Sequence, residues 1–329
     1  MDYPLRFQPI LQERVWGGEC LARRAGRAAA GPVGESWEIV DHGADASRVR
    51  NGPLAGRTLR ELLREAPVAL AGEAANARGL GRFPLLLKLI DARERLSVQV
   101  HPDDAQAAQR APGELGKTEA WYILEADPGA TIWQGVRPGV TRDSLRRALE
   151  RGTLEECLGR FEAAPDRVFF LPAGTVHALG GGVRLAEIQE TSDITYRLFD
   201  WNRAGLDGRP RPLQVEEALA VLRLESGVSG PRRAEACTMQ GCMRERFVAS
   251  EKFCLERLSA FQGTVALDTG NRSFHILTAI HGPVTVRAPG GAERLERWES
   301  ALLPAACGRY GLEGGPGSAA LLFYVPERR

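Results

Sequence analysis

Short apolar runs separated by Gly, Pro and Asp dominate the pattern of this chain. Four examples cover residues 83–90, 96–101, 120–124 and 167–171, and each is rich in leucine, β-branched or aromatic residues. Runs of this length bounded by turn residues are typical of β-strands. The pattern therefore predicts a mainly β protein.

Helical spacing of apolar residues is confined to a few segments. Residues 58–65, 141–160 and 212–224 place apolar side chains three or four positions apart among charged ones. We therefore expect a few peripheral helices around the β-structure.

A polar stretch rich in Gly and Ser at residues 225–235 separates two series of strands and is the candidate linker. We predict a domain over residues 1–230 that carries the functional site and a structural domain over 231–329. A weak internal repeat supports two related halves. Residues 170–177 resemble 302–309 and residues 121–124 resemble 274–277, so that His177 aligns with Arg309 and Glu119 with Arg272.

The charge balance excludes several classes of partner. The 329 residues include 43 Lys and Arg against 42 Asp and Glu, so the net charge is +1, without the basic excess typical of nucleic-acid binding.

No apolar run approaches the length of about 18 residues that a membrane span needs. The first residues lack a signal-peptide core, which predicts a cytoplasmic protein. Six scattered cysteines without a C-x-x-C pair are expected to be reduced structural thiols.

Three strand-like segments carry side chains that could bind a divalent cation. Alternation along residues 96–101 places Gln99 and His101 on one face of a strand. Glu119 lies in the next polar-faced segment, and His177 follows a Pro/Gly turn. Two imidazoles, a carboxylate and an amide oxygen form a donor set that suits zinc, with iron, manganese or cobalt as alternatives. The other three histidines are expected to be structural, namely His42, His275 and His281.

An arginine also shares a strand face with polar neighbours. Asp193 and Arg197 have the same parity in the segment that precedes Asp200. An inward arginine needs an anion, which can be a substrate or one of these two aspartates. The sequence contains no G-x-G-x-x-G, P-loop or G-x-S-x-G motif, so nucleotide-binding and serine-hydrolase classes lack their signatures.

Taken together, these motifs resemble the type I mannose-6-phosphate isomerases over about the first 225 residues. The segments that carry the resemblance are 14–18 (RVWGG), 34–38 (GESWE), 84–91 (PLLLKLID), 96–104 (LSVQVHPDD), 116–122 (GKTEAWY), 171–178 (LPAGTVHA) and 192–197 (SDITYR). The resemblance implies a bicupin, with two jelly-roll β-barrels, that interconverts mannose 6-phosphate and fructose 6-phosphate. It also implies one Zn²⁺ per chain on Gln99, His101, Glu119 and His177.

The resemblance further assigns roles in catalysis. It indicates Arg197 as the catalytic arginine, Asp193 beside it, and Lys117 near the reacting carbons. The group that transfers the proton stays open among Lys117, Asp193, Glu187 and a metal-bound water.

Substrate contacts follow from the same resemblance. Ser97 and Lys88 match positions associated with the phosphate end of the sugar, and Glu187 is expected to face the substrate. The partner is thus a small sugar phosphate, and the chain is expected to be a monomer or weak homo-oligomer. Two other classes stay open: a metal-dependent oxygenase using His101, Glu119 and His177, and a sugar-binding bicupin without catalysis.

Overall fold

Strands make up most of the regular structure in the computed structural model, which describes residues 1–26, 31–239 and 241–327. In chain order the strands are β1 (Ile10–Gly18), β2 (Val33–Ile39), β3 (Asp41–His42), β4 (Asp45–Ala46), β5 (Leu85–Ala92), β6 (Val98–Val100), β7 (Glu119–Ala126), β8 (Thr131–Val136), β9 (Leu158–Glu162), β10 (Val168–Leu171), β11 (His177–Leu179), β12 (Val183–Glu190), β13 (Tyr196–Phe199), β14 (Glu235–Met239), β15 (Cys242–Ala249), β16 (Cys254–Ser259), β17 (Val265–Asp268), β18 (His275–His281), β19 (Val284–Ala288), β20 (Gly291–Leu295), β21 (Ser300–Leu303), β22 (Arg309–Gly314) and β23 (Ala319–Tyr324). The prediction of a mainly β protein is confirmed.

Helices are short and lie between the strands. They are α1 (Cys20–Arg24), α2 (Leu59–Glu65), α3 (Pro67–Ala71), α4 (Glu73–Asn76), α5 (Asp104–Arg110), α6 (Arg142–Arg151) and α7 (Val215–Val221). Among the described residues, none of these helices is long and apolar enough to cross a membrane.

The chain forms two compact units. Unit A consists of Leu11–Trp37 and Leu87–Arg232, and unit B consists of Met1–Ile10, Glu38–Leu86 and Arg233–Arg329. A two-domain boundary at residue 230 stays a prediction, because these units are assembled from interleaved segments rather than from two consecutive ones.

Unit A contains two sheets that pack face to face. The six-stranded sheet has the order β1-β2-β5-β12-β7-β10, and the five-stranded sheet has the order β13-β6-β11-β8-β9. Buried side chains from both sheets, including Trp121, Phe169 and Ile132, form one apolar core. Two antiparallel sheets around a shared core are the arrangement expected of a jelly roll.

The outer face of the five-stranded sheet packs against helices. Val98 and Val100 of β6 join Leu145 of α6 and Leu219 of α7 in a second apolar cluster. Because side chains alternate along a strand, Gln99 between the two valines is directed to the opposite face.

Unit B has a comparable pair of sheets, with strand orders β14-β15-β16-β23-β18-β21 and β17-β22-β19-β20. Their facing side chains, such as Leu277, Leu312 and Leu322, form a separate core. The pairing of β18 with β21 and β23 matches that of β7 with β10 and β12 in unit A.

The pairing registers correct one detail of the internal repeat. Glu119 pairs with Leu171 in unit A, and His275 pairs with Leu303 in unit B. Since Leu171 and Leu303 are aligned in the repeat, His275 occupies the position equivalent to Glu119. The alignment of Glu119 with Arg272 is therefore wrong by three residues, because a few similar apolar residues do not fix the register of a strand.

Two of the three predicted helices are shorter than expected. The helix predicted over 141–160 ends at Arg151, since Gly152 adopts a left-handed conformation with φ of 71° and residues 158–162 form a strand. The helix predicted over 212–224 covers only Val215–Val221. By contrast, α2 begins directly after Thr58, whose side chain forms a capping box with Glu61.

Candidate active site

Three strands of unit A bring two histidines and a glutamate together. His101 follows β6, Glu119 begins β7 and His177 begins β11. One ligand atom from each of the three lies within 4.8 Å of the others. His177 also pairs directly with Gln99 across the β11 and β6 ladder. Residues distant in sequence thus converge because the two sheets of unit A face each other.

Both imidazoles are held by backbone carbonyl groups. His101 Nδ1 donates to the Ile194 carbonyl at 2.8 Å, and His177 Nδ1 donates to the Thr175 carbonyl at 2.9 Å. This leaves Nε2 of each ring as the nitrogen that could bind a metal ion. Such an orienting bond on the other ring nitrogen is the usual arrangement for metal-binding histidines.

Glu119 is fully buried beside these two rings. Its Oε1 lies 3.1 Å from His177 Nε2, and its Oε2 lies 3.6 Å from His101 Nε2 and 3.0 Å from Lys117 Nζ. Burial alone would raise the pKa of Glu119, yet neighbouring groups, the Lys117 ammonium first among them, hold it well below its usual range. Burial lowers the pKa of His101 well below its ordinary value, and Lys117 adds to this effect. The site therefore combines an ionised carboxylate with a neutral His101.

Several atoms in this cluster that could bind a metal ion make no hydrogen bond in the described residues. Within the described part of the chain, His101 Nε2 and both carboxylate oxygens of Glu119 are buried and make no hydrogen bond of good geometry, although Lys117 Nζ lies 3.0 Å from Oε2 and His177 Nε2 lies 3.1 Å from Oε1. Unpaired buried polar atoms are costly and call for an explanation. A divalent cation bound by His101, Glu119 and His177 would provide these atoms with a partner. The residues present therefore fit a metal ion.

Gln99 completes the surroundings of the cluster. Its amide Nε2 lies 3.2 Å from His177 Nε2. A half-turn of the amide group exchanges its nitrogen for its oxygen at this place. Gln99 is thus within reach of the triad as a neutral oxygen donor.

A cavity of about 610 Å³ opens next to the triad. Its walls include seven of the residues selected from the sequence, namely Lys88, Ser97, Gln99, Lys117, Glu187, Asp193 and Arg197. All the sequence-selected residues therefore lie either in the triad or along this cavity. A volume of this order accommodates a small metabolite.

Lys88 is buried in the cavity wall among carboxylates. Its Nζ lies 3.7 Å from Glu35, 3.5 Å from Glu187 and 3.8 Å from Asp193. Burial alone would lower the pKa of Lys88, but Glu35, Glu187 and Asp193 outweigh burial and raise it. Lys88 thus stays protonated and is surrounded by negative charge.

One carboxylate oxygen of Glu187 makes no hydrogen bond in the described residues, although Lys88 Nζ lies 3.5 Å from it. Oε2 accepts the indole N–H of Trp121 at 2.7 Å, whereas Oε1 is buried without a hydrogen-bond partner in the described residues. Burial raises the pKa of Glu187, and Glu119 adds to the rise. Trp121 in turn makes an edge contact with the His177 ring, with centroids 5.3 Å apart. The indole thereby links Glu187 to the triad.

Arg197 lines the cavity next to β6. Its Nε donates to Ser97 Oγ at 3.3 Å and its Nη1 donates to the Pro212 carbonyl at 3.1 Å. Asp193 lies beside Lys88, and Asp200 is bound by Arg203 and Arg211. The pairing of Arg197 with either aspartate, considered from the sequence, is not found among the described residues. The guanidinium therefore has neutral acceptors only.

Some residues of the cavity were not assigned from the sequence. Arg14 donates from Nε and Nη2 to the two carboxylate oxygens of Glu35, each at 3.1 Å, and Trp37 donates to Oε2 of the same group at 2.7 Å. Lys88 and Arg14 overcome the effect of burial and lower the pKa of Glu35 to about 2. The alternation of Glu35 and Trp37 on β2 was a usable signal, because it places both on one face.

Comparison with known proteins adds a second line of evidence. A family model described as phosphomannose isomerase type I, catalytic domain, matches residues 5–138. The mannose-6-phosphate isomerase ManA of Bacillus subtilis is 40% identical over 223 residues, which cover 68% of this chain and 69% of that protein. The chain belongs to the type I mannose-6-phosphate isomerase family.

Other relatives extend this result. The mannose-6-phosphate isomerase of Streptococcus mutans is 37% identical over 225 residues, covering 68% of this chain and 69% of that protein. The crystal structure of a Bacillus subtilis mannose 6-phosphate isomerase superposes with a TM-score of 0.87 at 31% identity, covering 98% of this chain and 99% of the other. The fold of this type I family therefore extends through both units, and the buried triad is its candidate metal site.

Proposed function

We propose that the chain interconverts D-mannose 6-phosphate and D-fructose 6-phosphate in the cavity of unit A. The observation that carries the proposal is the buried triad of His101, Glu119 and His177 beside a cavity lined by Lys88, Glu187 and Arg197. A metal site next to acid, base and arginine side chains matches the needs of proton transfer between C1 and C2 of a sugar.

We infer that the triad and Gln99 hold one Zn²⁺ per chain. Two neutral imidazoles, one carboxylate and one amide form an N/O donor set that zinc accepts. A single carboxylate leaves this set with a formal charge of +1 once Zn²⁺ is bound, which suits an anionic substrate. When bound, the metal would supply a Lewis acid that polarises a sugar oxygen.

Arg197 is assigned to the charge that develops during the reaction. Transfer of a proton between C1 and C2 passes through an enediolate, in which negative charge accumulates on oxygen. A guanidinium held by Ser97 and Pro212, with no carboxylate to neutralise it, is a fixed donor for such an oxygen. Burial and the nearby Arg211 lower the pKa of Arg197. An anion in the cavity would relieve both effects.

Glu187 fits the role of proton carrier better than the two other side chains considered. Glu187 lines the cavity, its Oε1 makes no hydrogen bond in the described residues, and a raised pKa brings a carboxylate closer to the working range of a general base. Lys117 is engaged by Glu119 at 3.0 Å, and Asp193 is partly exposed. Glu187 therefore takes the proton from one carbon and returns it to the other.

Lys88 acts on Glu187 rather than on the phosphate group. Three carboxylates surround its ammonium, which makes the position unfavourable for a further anion. Lys88 then orients Glu187 and limits the rise of its pKa.

The experiment is direct conversion of mannose 6-phosphate. The purified chain is loaded with Zn²⁺, incubated with mannose 6-phosphate in D₂O, and the products are followed by NMR. We expect fructose 6-phosphate to form, with deuterium incorporated where the proton exchanges with solvent. Absence of fructose 6-phosphate from the metal-loaded chain contradicts the proposal. Oxygen uptake during the reaction favours the oxygenase class instead.

A further inference from the structure

A short hairpin follows β13 and returns the chain to the strand that carries Arg197. Its two arms are bridged at Ala204 and Pro210. Gly205 N donates to the Arg209 carbonyl at 2.7 Å, and Gly208 turns the chain with φ of 76°. Gly205, Leu206 and Asp207 of this hairpin line the cavity. We call residues 200–212 the cavity hairpin.

Asp200 closes the base of the cavity hairpin. This carboxylate is 5% exposed and accepts Arg203 Nη2 at 2.8 Å, Arg211 Nε at 2.7 Å and Arg211 Nη2 at 2.5 Å. Arg203 and Arg211 belong to opposite arms. One carboxylate therefore joins both arms through charge-assisted bonds, including a two-point contact with Arg211.

The arm beyond Arg211 holds Arg197 directly. The Pro212 carbonyl accepts Arg197 Nη1 at 3.1 Å. The Gln214 side chain accepts the backbone N–H of Arg197 at 3.2 Å, and the Gln214 backbone N–H donates to the Arg197 carbonyl at 2.8 Å. Any shift of this arm would therefore move the guanidinium in the cavity.

The other arm is fixed at Trp201 in spite of backbone strain. Trp201 and Asn202 adopt φ values of 57° and 54°, in the left-handed region that is strained for residues other than glycine. The Trp201 indole donates to the Leu96 carbonyl at 2.6 Å and packs against Trp133 with the two rings tilted by 45°. Its ring centroid lies 4.0 Å from the Arg95 guanidinium. This arm is therefore a rigid support, against which Asp200 clamps the second arm.

We propose that Asp200 is a positioning residue for the isomerase reaction, which fixes Arg197 through Arg211 and Pro212. This inference rests on the proposed function, because it takes Arg197 as the donor to the enediolate. Asp200 lines no part of the cavity in the described residues; it acts on Arg197 through the arm that it clamps and through its negative charge, which opposes the lowering of the Arg197 pKa by burial. A displaced donor weakens the transition-state contact more than substrate binding.

The first test replaces Asp200 with Asn, which removes the charge and keeps the shape. We expect Asp200→Asn to lower kcat at least tenfold, with less than a threefold change in KM and an unchanged metal content. Glu216→Gln is the matched control, because it breaks the Arg146–Glu216 ion pair of unit A away from the cavity. The control should keep its kcat within twofold. A kcat of Asp200→Asn within twofold of wild type overturns the proposal.

A double-mutant cycle separates positioning from general destabilisation. If Asp200 acts through Arg197, Asp200→Asn should change the kcat of Arg197→Ala by less than twofold. A tenfold additive loss in that background indicates a merely structural role and overturns the proposal. Arg211→Lys gives a second variant, which keeps the charge but loses the two-point contact; we expect it to reduce kcat in the same direction.

A spectroscopic readout tests the clamp independently of turnover. The Nε–H signal of Arg197 is assigned in ¹⁵N-labelled protein by its absence from Arg197→Lys. We expect it to shift in Asp200→Asn and to stay unchanged in Glu216→Gln. An unshifted signal refutes the clamp. If the wild-type chain does not isomerise mannose 6-phosphate, the proposed function is refuted. The role of Asp200 in catalysis is then refuted as well, even where the Arg197 signal shifts in Asp200→Asn.

Discussion

Replacing Lys88 with Met removes a buried charge from the midst of three carboxylates. Arg14 continues to neutralise Glu35, and Asp193 is partly exposed, so the main uncompensated charge is Glu187. Loss of one partner of a buried ion pair costs about 3–5 kcal/mol. Because water and Arg14 relieve part of this charge, we expect a loss of about 3 kcal/mol in the free energy of unfolding. With an unfolding entropy of about 2.1 cal/mol/K per residue over 329 residues, this corresponds to roughly 4 °C in Tm.

The pH dependence of this loss has a definite sign. Burial raises the pKa of Glu187 already in the wild type, and removal of Lys88 raises it further. A carboxyl group whose pKa is higher in the folded state destabilises that state above this pKa, and the penalty disappears as the pH falls below it. The pKa of Glu35 near 2 acts in the same direction, because Lys88 contributes to the stability that this group provides above about pH 4. The gap in Tm should therefore be widest near pH 7 and narrow on acidification.

The assay is thermal unfolding of the metal-free protein between pH 4.5 and pH 8, followed by circular dichroism. Lys88→Arg is the matched control, because it keeps the positive charge at the same place. We expect the control to retain most of the stability at pH 7. A Lys88→Met variant that is as stable as wild type at pH 7, or a gap that widens toward pH 5, refutes the charge argument.

Three further outcomes are expected from the same geometry. His101→Ala should lose the bound metal and its activity, whereas His275→Ala should retain both, as measured by elemental analysis of the purified proteins; equal metal content in both variants contradicts the triad as the metal site. Arg197→Ala should lower kcat by about 10²- to 10³-fold without loss of metal, and unchanged turnover would exclude Arg197 from catalysis. Thr58→Ala removes the capping box of α2 and should lower the free energy of unfolding by about 0.5–2 kcal/mol in denaturant titrations; a variant as stable as wild type would show that the cap contributes nothing.

The alternation of side chains was sufficient to select two residues of the triad, His101 and Glu119, whereas His177 was selected because it follows a Pro/Gly turn. On β6 the valines pack against helices, so the polar residues between and after them had to face the other way. This argument needs only the period of a strand and the cost of burying polar groups. It predicted Gln99, His101 and Glu119 as inward-facing without any knowledge of the neighbouring strands.

The cavity hairpin could not be predicted in the same way. Residues 200–212 have no periodicity, and their conformation depends on Asp200 meeting arginines on both arms. The strained backbone at Trp201 is tolerated only because its indole finds Trp133 and Arg95, which are distant in sequence. The sequence analysis identified Asp200 only as a possible partner of Arg197. The alternation of side chains along β13 carries no information about a hairpin that folds back on this strand.

The two units show how one strand framework supports different chemistry. His275 of unit B occupies the position that Glu119 occupies in unit A. Its Nδ1 lies 2.7 Å from the Tyr310 hydroxyl, whereas Nδ1 of each triad histidine is bound to a backbone carbonyl. Burial lowers the pKa of His275 to about 4, so this histidine is neutral and satisfied by a neutral partner. No cluster of three ligating side chains arises in the described residues of unit B. The framework therefore fixes where side chains meet, and the combination of Glu119 with His101 and His177 at that meeting point distinguishes a candidate metal site from a core.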